Sequence, residues 1–136
     1  MTQDLGPSTA SNTPTKPISV LFVCLGNICR SPMAEAIFRH LTASLPPTSA
    51  LHATPITIDS AGTSAYHLHA EPDARTMSTL RRHGITDYTH AARKVCADDF
   101  ERFGYVLAMD GANLRDLEAK RGGARAAVVR RARRCG

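Results

Sequence analysis

No apolar run in this 136-residue chain approaches the about 20 residues needed to cross a bilayer, which argues against a membrane-spanning helix. The first seventeen residues are rich in Ser, Thr and Pro; they lack the apolar core of a secretory signal and the arginine-rich amphipathic pattern of a transit peptide. Residues 1–17 therefore read as a disordered leader, and the protein as soluble and cytoplasmic. Cysteine is scarce: four residues with no secretory signal do not make a disulfide scaffold, which turns attention to chemistry or burial. Internal repeats and a second domain are also lacking, and the length suits one compact domain with its own core.

The formal charge of +5 invites a nucleic-acid reading, but the excess is local. Residues 121–136 hold six arginines and no acid, which leaves residues 1–120 with 11 basic and 12 acidic side chains. The body of the domain is thus not a polyanion-binding surface. No aromatic residue interleaves the terminal arginines to stack on bases, so residues 131–136 read as a solvated basic tail, with neither nucleic acid nor membrane expected as partner.

What the chain does have is an alternation of strand and helix patterns. Ile18 to Cys24 (ISVLFVC) is a nearly continuous apolar run of strand length, as a central strand buried on both faces requires. After a short loop, Ser31 suits a helix cap and Pro32 a first helical position, with Ala34, Ile37, Phe38, Leu41 and Leu45 at helical spacing until Pro46 and Pro47. Pro55 to Ser60 reads as a second strand, with Ser60 to Ser64 leaving it as a loop. Asp73 to His83 reads as a helix with Met77 and Leu80 inward and Gly84 as its stop. Asp98 and Glu101 have capping-box spacing before a short helix. Tyr105 to Met109 is a third strand and Ala112 to Arg121 a further helix ended by glycines; a fourth strand begins between Ala126 and Val129. This order predicts a doubly wound, open, parallel four-stranded α/β sheet with flanking helices, its domain spanning 18–130. Ligands of such sheets bind beyond the carboxyl ends of the strands, where the loop from Cys24 to Arg30 lies.

That loop carries the chemistry. Leu25, Gly26, Asn27, Ile28 and Cys29 separate Cys24 from Arg30, and the backbone amides of a tight turn entering a helix form a concave anion site. Gly26 permits backbone conformations that other residues avoid. Arg30 offers a planar fork for two phosphate oxygens. The same positive field favours a thiolate at Cys24, the species that attacks phosphorus. The segment GNICRS lacks the GxxxxGK[ST] pattern, which excludes a nucleotide-binding phosphate loop, and nothing in the pattern calls for a metal or other cofactor. From residue type alone, Asn27 reads as an ordinary turn residue, Ser60 as a strand-end polar group and His90 as a surface histidine.

The segment VLFVCLGNICRSPMAEAIFRHL, Val20 to Leu41, resembles the signature of the low molecular weight protein tyrosine phosphatases. DSAGTS from Asp59, RRHGI from Arg81, HAAR from His90, DFERFGYVLAMD from Asp99 and NLRDL from Asn113 resemble the same family in the same order, so the likeness covers roughly residues 18 to 120. It implies hydrolysis of phosphotyrosine proteins or small aryl phosphates through a phosphocysteine intermediate, without a cofactor. It further implies that Asn27, Ser60 and His90 hold the loop in shape, that Ser31 assists departure of the thiolate, that Asp110 supports the loop, and that Tyr66 lines the substrate cleft. A protective disulfide between Cys24 and Cys29 is implied as well, on a loop that brings the two close; Cys96 is read as structural.

The chain departs from the family at one point. The family's general acid is an aspartate in a DP motif followed by aromatics; here the sequence after Lys120 is RGGARAAVVRRARRCG, without a carboxylate. The expectation is an altered or truncated terminus with the last strand and final helix incomplete, and a phosphatase impaired by the missing acid. Two other readings stay open: a non-catalytic phosphate-binding module, and a thiol-dependent arsenate reductase with Cys96 and Cys135 as relay candidates. Oligomeric state has no signature in the sequence.

Overall fold

The computed structural model describes residues 16–122 and 128–131. The leader, apart from its last two residues, and the tail beyond Arg131 lie outside the described residues. Four strands, β1 (Ile18–Cys24), β2 (Ile56–Gly62), β3 (Tyr105–Ala108) and β4 (Val128–Arg131), form one sheet in the order β2-β1-β3-β4, every neighbouring pair parallel. The helices are α1 (Arg30–Ala43), α2 (Ala74–Arg82), α3 (Asp99–Arg102) and α4 (Gly111–Arg121).

β1 is central because its residues are apolar on both faces. Val20 and Phe22 join Ile58 on one face, covered by Ala34 and Phe38 of α1. Leu21 and Val23 join Val106 and Ala108 on the other, against Phe100 and Phe103 and the α4 residue Leu117. Ala36 of α1 meets Leu80 of α2 in a third cluster with Ile85 and Tyr88. The chain leaves β1 for β2 on one side and returns to β3 on the other, so strand order reverses at the C-terminal end of β1. Among the described residues, no helix is long and apolar enough to cross a membrane.

Several expectations are corrected. β2 runs two residues further than Ser60, because Ala61 and Gly62 continue the ladder opposite Val23 and Cys24. Ser31 does not cap α1: the helix begins at Arg30, and the Ser31 hydroxyl turns to the Cys24 sulfur 3.1 Å away. Ile37 and Leu41 are 40% and 58% exposed, since the buried stripe of α1 runs through Ser31, Pro32, Glu35 and Ala36 instead. The Asp98–Glu101 capping box does not form; the carboxylate in use is Asp99, which accepts from the Cys96 amide at 2.8 Å. Cys96, read as structural, lies exposed, with its amide on Asp99. β4 extends through Arg131, one residue into the segment read as a tail.

Candidate active site

β1 delivers Cys24, buried at 3% exposure, to the switch point, and the next five residues curl back to Arg30 at the start of α1. The curl depends on Asn27, whose φ of 58° lies in the left-handed region that asparagine tolerates better than most residues. The loop carbonyls are taken up by the scaffold. Cys24 O accepts from Thr63 N, Leu25 O from Ser64 N, Ile28 O from Asp73 N and Cys29 O from Met33 N. With these carbonyls engaged by the scaffold, the Asn27 N–H faces the sulfur, 3.3 Å from Cys24 Sγ. Gly26 packs against the His67 ring.

Behind the loop lies a buried hydrogen-bond network that uses every polar end of Asn27. Its Nδ2 donates to Ser31 Oγ at 2.9 Å and to Ser60 Oγ at 3.0 Å; its Oδ1 accepts from His90 Nε2 at 2.8 Å and from the Arg93 amide at 2.9 Å. Ser31, Ser60 and His90, separated in sequence, therefore meet at Asn27, and of these side chains Ser31 reaches the Cys24 sulfur. Beyond them is a group the sequence reading missed. Glu35 is 2% exposed; its Oε1 accepts from Ser60 Oγ at 2.7 Å and Tyr88 Oη at 2.8 Å, with His90 Nδ1 3.5 Å away, and its Oε2 pairs with Arg39 Nε at 2.8 Å. Arg39 also donates to the Ile58 carbonyl. Burial, followed by the Glu35 charge, pushes the Tyr88 phenol far above its ordinary range. Burial holds the His90 imidazole below its ordinary value despite the opposing pull of Glu35 and Asp59. The sequence signal for Glu35 is its position four residues after Ser31, on the face of α1 that carries the loop.

Glu35, Asp59 and His90 bring three potential metal-ligand atoms within 4.8 Å of one another. Those groups are engaged by protein donors, Asp59 by Arg93 at 3.0 Å and Glu35 by Ser60, Tyr88 and Arg39, which reads as a hydrogen-bonded cluster. At the mouth of the site, Arg30 Nη1 meets Asp110 Oδ2 at 2.8 Å, while Asp110 Oδ1 caps α4 through the Asn113 amide at 2.8 Å. That amide and the Arg30 guanidinium hold the Asp110 carboxyl below the usual carboxylate range. Tyr66, 79% exposed, lines a groove with Leu25 and Ser64 beside the loop, while Cys29 is exposed and within 3.5 Å of the Thr76 hydroxyl.

A buried thiol and an arginine thus share one tight turn at the switch point of an open parallel sheet, on a doubly wound α/β domain. Residues 19–134 match the model of the low molecular weight phosphotyrosine protein phosphatase family. The Schizosaccharomyces pombe low molecular weight phosphotyrosine protein phosphatase is 50% identical over 116 residues, covering 85% of this chain and 71% of that protein. The Homo sapiens protein of the same name is 50% identical over 102 residues, covering 75% of this chain and 61% of that one. The crystal structure of YfkJ from Bacillus subtilis superposes with a TM-score of 0.73 at 45% identity, covering 85% of this chain and 69% of that one. The chain belongs to the low molecular weight phosphotyrosine protein phosphatase family. It spans about 61% to 71% of the length of these curated relatives.

Proposed function

We propose that this chain hydrolyses phosphotyrosine and aryl phosphate monoesters through a phosphocysteine intermediate. The observation that carries the reading is the buried Cys24 sulfur facing the Asn27 amide and the Ser31 hydroxyl, on the same turn as Arg30. The thiolate attacks phosphorus in line, the P–O bond to the aryl oxygen breaks, and the Arg30 fork and loop amides hold the equatorial oxygens. Water then attacks phosphorus, the P–S bond breaks, and the Ser31 hydroxyl hydrogen-bonds to the departing thiolate. No metal or cofactor enters.

In this 136-residue polypeptide no Asp or Glu side chain follows Glu118. Asp110 is a poor proton donor, because the Asn113 amide and Arg30 favour its ionised form. Activated aryl phosphates, whose leaving oxygen needs little protonation, are therefore the favoured substrates. The test is hydrolysis of p-nitrophenyl phosphate by the folded chain beside Cys24→Ser. Turnover abolished by the substitution supports the reading; a folded chain that binds phosphate and does not turn over is a phosphate-binding module. Arsenate reduction coupled to a thiol, dependent on Cys96 or Cys135, would point to a reductase instead.

A further inference from the structure

We propose that Arg93 is a positioning residue for the nucleophile: its amide N–H fixes the direction of the hydrogen-bond chain that ends on Cys24, and its side chain fixes that amide. This rests on the phosphatase reading of the site. An asparagine amide or a serine hydroxyl can turn around, whereas a backbone N–H can only donate. The Arg93 amide faces Asn27 Oδ1 at 2.9 Å, so the oxygen of Asn27 must point to it and Nδ2 must point the other way. Nδ2 then takes a lone pair of Ser31 Oγ, which leaves the Ser31 proton for another acceptor. Cys24 Sγ at 3.1 Å is nearer than the alternative, the Ala61 carbonyl at 3.4 Å. The far branch agrees: Glu35 can only accept, so Ser60 donates to it and receives Nδ2 of Asn27. Ser31 is thereby a donor to the sulfur, the arrangement that stabilises a thiolate.

The Arg93 amide is held in place by its own side chain. Nη1 and Nη2 grip both oxygens of the fully buried Asp99 at 2.9 and 3.0 Å, and Nε meets Asp59 Oδ2 at 3.1 Å. The Arg93 carbonyl accepts from the Gly62 amide at 2.8 Å. The residue is thus clamped to α3, to β2 and to the end of the central ladder, with its N–H aimed at Asn27.

The experiment compares wild type, Arg93→Met and Asp59→Asn, each with and without Ser31→Ala, on p-nitrophenyl phosphate. It also follows alkylation of Cys24 by iodoacetate, located by fragment mass spectrometry, which requires no turnover. Arg93→Met is expected to lower both kcat and the alkylation rate about tenfold, the scale of one hydrogen bond to a charged group. Inhibition by inorganic phosphate should change by less than about twofold, and in the Ser31→Ala background the loss should shrink to less than about twofold. Asp59→Asn, at a site 30% exposed, releases one side of the clamp and should give a smaller loss with the same dependence on Ser31, which keeps the test open if Arg93→Met does not fold. A loss of equal size without Ser31, or phosphate affinity falling in step with kcat, would overturn the proposal. An inactive wild type whose Cys24 alkylation still depends on Arg93 through Ser31 would sink the phosphatase reading and leave this inference standing.

Discussion

Arg30 and Asp110 lie eighty residues apart in sequence and meet at 2.8 Å between Nη1 and Oδ2, half exposed at the mouth of the phosphate loop. The same carboxylate caps α4, so its two oxygens serve two different purposes. Removing the cap in Asp110→Ala should cost about 1 kcal/mol in urea unfolding, whereas Asp110→Asn, which retains an acceptor for Asn113, should cost a few tenths. An exposed ion pair contributes at most about 1 kcal/mol, so orientation of Arg30 by Asp110 is a weak effect. Removal of a like charge beside the phosphate is expected to prevail, and Asp110→Asn should bind inorganic phosphate up to about fivefold more tightly by titration calorimetry. Weaker binding would mean that Asp110 orients Arg30.

Asn27 presents a different balance. Asn27→Ala removes four hydrogen bonds at a residue 1% exposed and leaves an alanine at a φ of 58°. Leaving buried partners unpaired costs about 1–3 kcal/mol each where they do not find replacements, and the backbone conformation adds about 1 kcal/mol. Asn27→Gly relieves only the second part. Both variants should lose about 10²-fold or more in kcat on p-nitrophenyl phosphate, the scale of a lost preorganised site, while glycine recovers about 1 kcal/mol of stability over alanine in urea unfolding.

The proposed lack of general-acid assistance has a measurable signature. General-acid assistance is typically worth 10²–10⁴-fold, and its benefit grows with the basicity of the leaving group. For this polypeptide a series of substituted phenyl phosphates should show kcat/KM falling steeply as the leaving phenol becomes more basic, with phenyl phosphate at least about 10²-fold below p-nitrophenyl phosphate. A flat dependence would show that some group of this chain protonates the leaving oxygen.

The central strand, the turn and the order of elements were legible in the sequence because they depend on local signals: an apolar run, a glycine, a proline in the first turn of a helix. What was not legible depends on partners far away in the chain. Ser31 has the residue type of a cap, but Asn27 and Cys24 claim its hydroxyl, and the helix starts one residue earlier. Glu35 in a helix reads as a solvated charge until Tyr88, Ser60 and Arg39 surround it. Asp99 lost to its neighbour Asp98 as a cap for the same reason, because its value comes from Arg93. The roles given to Asn27, Ser60 and His90 came through family resemblance, since no residue-level pattern links positions so far apart.

Asp99 supplies a pH-dependent test of that distant pairing. Its carboxylate is fully buried; burial alone would raise its pKa, but the two Arg93 bonds and the Cys96 amide outweigh this and hold it below the ordinary carboxylate value. A carboxyl with a lowered folded pKa stabilises the fold above its unfolded value, about 3.9, and that contribution is lost as pH falls through the folded value. Wild type should therefore lose stability on acidification below about pH 4 in part through Asp99. Asp99→Ala leaves Arg93 with Asp59 as its ion partner, so at neutral pH it should cost less than the about 3–5 kcal/mol of a buried charge left unpaired. Asp99→Asn should cost less, because it keeps an acceptor for the Cys96 amide. The decisive measurement is urea unfolding at neutral pH and near pH 3: the gap between wild type and Asp99→Asn should narrow on acidification, because the wild-type carboxyl is protonated in the unfolded chain before the folded one and its charge-dependent contribution is lost. A gap of constant size would show that packing around Asp99, and not its charge, supports α3 and the Arg93 clamp.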